Sequence, residues 1–125
     1  MTVHENWGGL KDYIFDTQES KKTSYEEVFI FPFHGSDVVG TPLAVSALMG
    51  TEANGVTMSA RVYDITNRKT IAEVIGFASL FPDTATLTVY PENVPELPAI
   101  WELQILRSTG SNSKKVYVTS LTMEY

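Results

Sequence analysis

Few residues of this chain could do chemistry, and they are scattered. His34, Ser36 and Asp37 stand together in His34-Gly35-Ser36-Asp37. A serine nucleophile, a histidine base and an orienting acid run acyl transfer only when they converge beside an oxyanion site. Residues this close in one turn do not reach that geometry, and Gly, Ser and Asp are ordinary turn formers, so the segment reads as a turn. His4-Glu5 offers two metal ligands where a transition-metal site needs three or four fixed by outer contacts. The only other histidine is His34. Glu52, Asp64 and Asp83 are acids in expected loops, without the regular spacing of a calcium loop. Glu26 and Glu27 would point to opposite faces of a strand. Glu92, Glu96 and Glu102 surround a proline-rich segment, and nothing selects two of them as the carboxylate pair of a glycosidase. The chain has no phosphate loop, nucleotide fingerprint or nucleophile elbow. It has no cysteine, which removes disulfides, thiolate metal sites and thiol nucleophiles together. The expectation is a protein that is not an enzyme, with no cofactor and no metal.

Aromatic side chains offer binding rather than catalysis. Tyr63, Tyr90 and Tyr117, with Tyr125, fall where a strand would turn them to water. A row of exposed rings stacks on the apolar faces of sugars, so Tyr63, Tyr90 and Tyr117 are the candidate glycan-binding residues. Trp101 shares parity with Leu103 and Ile105 and reads as core. Near the N-terminus, Trp7, Leu10, Tyr13, Ile14 and Phe15 place five large apolar groups in nine positions. Two readings stand side by side. These residues form an ordinary first strand on the domain's own core, or they form an arm that a neighbouring subunit covers.

The elements that must position these residues are strands. Val56, Met58, Ala60 and Val62 alternate with Thr57, Ser59, Arg61 and Tyr63, the period of a half-buried strand. Further strands fit 26–33, 43–49, 70–77, 85–90, 100–107 and 115–125, making seven, or eight if 12–16 pairs. Pro32 marks an edge or a bend. Asn54-Gly55 is a favoured hairpin turn. Parity changes between Val116/Val118 and Leu121/Met123, which predicts a bulge near Thr119-Ser120. Pro91, Pro95 and Pro98 make an extended crossing between sheets. No segment carries a clean helical stripe, and turn signals recur at sandwich spacing. The fold class is all-β, a two-sheet antiparallel sandwich, jelly-roll-like. Residues 1–24 are set apart as an N-terminal arm or linker from a sandwich domain over 25–125. The formal net charge of −6 across 125 residues lacks the concentrated basic face that nucleic acid requires. No apolar run is long enough for a membrane span. The first residues do not form a secretory signal, so synthesis in a cytoplasm is expected.

Two segments resemble a known group. Arg61-Val62-Tyr63-Asp64-Ile65-Thr66-Asn67 followed by Thr70-Ile71-Ala72-Glu73, and Pro98-Ala99-Ile100-Trp101-Glu102-Leu103-Gln104, are similar to strands of small β-sandwich structural proteins of phage and large-virus particles. The resemblance implies a virion component: a head decoration or cement protein, or a fibre or tail domain. It implies a homo-oligomer that meets other virion proteins, located in the virion, with an N-terminal arm as the anchor. The alternative is a carbohydrate- or receptor-binding sandwich module that takes a glycan or a cell-surface receptor.

Overall fold

The computed structural model describes residues 2–5, 9–111 and 113–125, and for residues 2–5 the backbone alone. Nine strands run through them: β1 (Thr2–Glu5), β2 (Leu10–Ser20), β3 (Glu26–Phe33), β4 (Ala44–Thr51), β5 (Thr57–Asp64), β6 (Lys69–Phe77), β7 (Asp83–Val89), β8 (Ala99–Thr109) and β9 (Val116–Glu124). The strand order is β1-β2-β9-β4-β7-β6-β5-β8-β3, and every pairing is antiparallel. Strands β2-β9-β4-β7 form sheet A and β3-β8-β5-β6 form sheet B. The two are joined where the end of β7 pairs with β6 at Ala72–Val89 and Glu73–Thr88. This interleaved order of eight strands is that of a jelly roll, with β1 as a short extra strand on the margin of sheet A.

Alternation decides which side chains enter the core. Val62, Leu103, Ile105 and Trp101 from sheet B meet Val45, Met49, Val118, Leu121 and Met123 from sheet A, all fully buried. Trp101 stacks on Phe33 at 3.9 Å between ring centres, 10° from parallel, with Phe31 edge-on at 6.2 Å. The bulge falls at Thr119: Leu48 pairs with Ser120 and Met49 with Val118. It brings Val116/Val118 and Leu121/Met123 to the same interior despite their opposite parity. Pro32 lies on β3, the outermost strand of sheet B, where its missing N–H costs no ladder bond.

Two short helical turns interrupt the loops at the end of the sandwich where β3 stops. One is α1 (Ser36–Val39), and the other is a 3₁₀ turn at Pro91–Asn93. The backbone N–H groups of Ser36 and Asp37 donate to the carbonyls of Pro95 and Glu96 at 3.0 and 3.2 Å. Gly35 lets the two loops meet, since a Cβ there would strike the Glu96 backbone. His34-Gly35-Ser36-Asp37 therefore fastens the proline-rich crossing to the sandwich. At the opposite end, Arg107 is buried. Its backbone N–H donates to the Lys22 carbonyl at 2.8 Å, its Nε to the Lys21 carbonyl at 3.2 Å, and its Nη1 to the Gly110 carbonyl. It ties the loop between β2 and β3 to the β8–β9 hairpin.

The boundary expected at residue 24 is corrected here. Leu10–Ser20 is a strand of the sandwich, paired with β9 from Leu10–Glu124 to Ser20–Val116. Tyr13 faces inward beside Phe29 and Phe31, at 5.2 and 5.0 Å between ring centres, and Phe15 stacks on Phe29 at 4.9 Å. The rings of Phe29 and Phe31 at the β3 edge supply the apolar surface that these two residues cover. Ile14, on the other face, is 43% exposed and Leu10 is half-buried. Trp7 lies outside the described residues.

Candidate interaction face

The three candidate tyrosines, whose adjacency the sequence leaves open, are divided between the sheets. Tyr63 leaves β5 between the buried Val62 and Asp64, and Tyr90 follows β7, so both lie on the outer face of sheet B. Tyr117 leaves β9 between the buried Val116 and Val118, on the outer face of sheet A. Its ring lies over Gly50, where an added Cβ would come within 2.5 Å of the Tyr117 hydroxyl. A period of two tells inside from outside but not one sheet from the other. The jelly-roll order sends β9 between β2 and β4 and keeps β5 in the opposite layer.

Tyr63 and Tyr90 do share their face with an organised cluster. Register places Glu73, Arg61, Gln104 and Glu27 side by side across β6, β5, β8 and β3. The adjoining row holds Thr70, Tyr63, Glu102 and Ile30. The Arg61 guanidinium sits between two rings, 4.0 Å from the centre of Tyr25 and 4.4 Å from that of Tyr63. Such cation–π contacts are each worth about 0.5–1 kcal/mol at exposed sites. Arg61 Nε donates to Gln104 Oε1 at 2.7 Å, and Gln104 Nε2 donates to Glu102 Oε1 at 2.8 Å. Tyr90 donates its hydroxyl to Glu73 Oε1 at 2.6 Å.

Local structure accounts for the clamp. Tyr25 closes the loop that Arg107 anchors, so the ring is carried to the sheet by a fastened backbone. Lys22 pairs with Glu26 at 2.9 Å across the same loop. The electrostatics follow from the packing. Burial pushes the Tyr25 hydroxyl above its ordinary range, Glu73 adds to the rise and Arg61 opposes it. The bond to Glu73 is the main cause of the rise at Tyr90. Arg61 and Tyr25 were not singled out in the sequence as binding residues. Arg61 was visible as the one charged position on the wet side of β5, whereas nothing in the sequence foretold that Tyr25 folds back over it.

Chemically, the cluster is suited to recognition. Among the described residues, no three or more His, Asp or Glu side chains gather as a metal site. The face combines a fixed guanidinium, carboxylates, an amide and tyrosine rings, bordered by the exposed Ile30 and Ile100. Aromatic and arginine side chains are enriched at the energetic centres of protein interfaces.

Neither a protein-family model nor a curated protein sequence matches the chain. Among solved structures, the chain is similar to VP2 in the crystal structure of the infectious bursal disease virus VP2 subviral particle. The TM-score is 0.54 and the identity 15%, over 91% of this chain and 32% of that one. The chain thus spans about a third of the length of that VP2 chain, and the likeness is one of fold.

Proposed function

We propose that this chain is a non-enzymatic structural protein of a virus particle. The observation that carries the reading is the jelly-roll order of β2 to β9, which aligns over nearly the whole chain with a protein that forms a subviral particle. The finer reading is decoration or cementing of a shell. Contacts would be made through the N-terminal segment at the margin of sheet A and over the outer face of sheet B. Acting as such a component, the domain needs extended complementary surfaces rather than a cleft, and repetition over a lattice multiplies weak contacts. Quantitative mass spectrometry of virions purified from cells that make the chain tests this. A copy number in fixed ratio to the shell protein is expected. Absence of the chain from purified virions would overturn the reading.

A second reading, glycan or receptor binding, keeps Tyr63 and Tyr90, which share a face with Tyr25 and Arg61. The ring faces turned toward Arg61 are occupied, so a sugar would depend on the guanidinium and carboxylates more than on stacking. Glycan-array binding lost on Tyr63→Ala but retained on Tyr117→Ala would support it. Equal loss in both variants would count against it.

A further inference from the structure

We infer that the outer face of sheet B pairs with the same face of a second copy of this chain, through two reciprocal Arg61–Glu102 ion pairs about a two-fold axis. The first observation is an unpaired charge held still. Arg61 spends Nε on Gln104, and among the described residues its Nη groups meet no acceptor and no carboxylate pairs with it. Rings on both sides prevent the guanidinium from swinging toward one. Ordering a long side chain is costly in entropy, and a charge-assisted bond from the Nη groups to a carboxylate oxygen offsets that cost. Glu102 shows the matching vacancy: one oxygen accepts from Gln104, and the other accepts no bond among the described residues. Glu73 keeps one oxygen open too, its other accepting the Tyr90 hydroxyl, but it lies directly across from Arg61 on β6 and off the Arg61–Glu102 diagonal on which the two-fold contact is built.

The register makes this pair self-complementary. Arg61 lies opposite Gln104, and Tyr63 lies opposite Glu102. These four positions form a quadrilateral, with Arg61 and Glu102 on one diagonal and Tyr63 and Gln104 on the other. A two-fold axis in the contact plane, along the Tyr63–Gln104 diagonal, sets Arg61 of each copy against Glu102 of the other. That is an isologous contact, closed by symmetry. Tyr63 then meets its own copy at the centre, and Ile30 and Ile100, 51% and 40% exposed, lie close enough to be covered. The contact deepens the assembly reading without depending on the particle: the dimer would persist even if the chain were absent from virions.

Sedimentation of the full chain tests it. The wild type should be a dimer. Arg61→Glu and Glu102→Arg should each weaken dimerisation at least about tenfold, since like charges then face each other. An equimolar mixture of the two variants should restore a dimer containing one of each, because one ion pair keeps its native sign and the other re-forms with the sign reversed. Thermal melting checks that each variant folds. If a charge-reversed variant does not, Arg61→Gln and Glu102→Gln take its place, each expected to loosen the dimer. A wild-type chain that stays monomeric to about 100 μM, weaker than a useful contact, would overturn the inference. So would a dimer that none of the variants loosens, a mixture of folded charge-reversed variants that stays monomeric, or a monomer that binds a neutral sugar on this face instead.

Discussion

The two outer faces of the sandwich obey the same alternation yet carry different chemistry. On sheet A, one row reads Asp12, Thr122, Ser46, Thr86 and the next Ile14, Ser120, Leu48, Thr84. Small hydroxyl side chains dominate, and Thr122 donates to Asp12 Oδ1 at 2.8 Å. Cross-strand threonine and serine pairs stabilise the sheet they sit on and offer a partner little to grip. On sheet B, the equivalent rows hold Glu73, Arg61, Gln104, Glu27 and Thr70, Tyr63, Glu102, Ile30. Long, orientable side chains there are locked by rings and hydrogen bonds. One face is laced together by short hydroxyl side chains, and the other carries long charged and aromatic side chains fixed against one another.

The core beneath both faces sets the largest effect. Trp101→Ala should cost about 3–5 kcal/mol in urea unfolding, as expected for a large buried aromatic side chain. Trp101→Phe should cost much less. It keeps a ring against Phe33 and removes the Trp101 Nε1 hydrogen, which has no partner among the described residues. If both substitutions cost the same, the Trp101–Phe33 stack within sheet B is not what the side chain contributes. On sheet A, Gly50→Ala should destabilise by about 1–3 kcal/mol, because the new methyl collides with the Tyr117 ring. Adding Tyr117→Ala should recover part of that loss, and a double-mutant cycle by thermal melting reads the coupling. On sheet B, Arg61→Met should lower the stability of the monomer by about 1 kcal/mol, the worth of an exposed ring clamp. Such a change is small beside its expected effect on association. The mildest test is pH. Burial raises the Tyr125 hydroxyl in the folded state, and Tyr25 and Tyr90 are raised too. Below about pH 10 these groups are protonated in both states and add no pH dependence. Above it the unfolded chain loses protons first, so stability falls as pH rises toward the folded values. Tyr125→Phe should flatten that alkaline decline, measured by urea unfolding between about pH 9 and 11.

Strand positions were largely legible in the sequence because each strand writes its own period. Val56 to Asp64 announced β5, and the parity change after Val118 announced the bulge at Thr119. Partnership between strands was not legible, because register and sheet membership arise from contacts far apart in the chain. Tyr63 and Tyr117 look alike in sequence and end on opposite layers. Tyr13 and Phe15 could have covered a neighbour, and only the rings of Phe29 and Phe31 opposite them show that they stay at home. The clamp on Arg61 was hidden for the same reason. Tyr25 reaches it from a loop whose course is set by Arg107, on a strand far along the chain.

Hydroxyl-radical footprinting of the full-length chain, at rising protein concentration, tests the division between the two faces most directly. Tyr63 and Tyr25 report sheet B, and Tyr117 reports sheet A within the same sample. The account predicts that oxidation of Tyr63 and Tyr25 falls as association proceeds while oxidation of Tyr117 is unchanged. Protection of Tyr117, with Tyr63 left open, would contradict it.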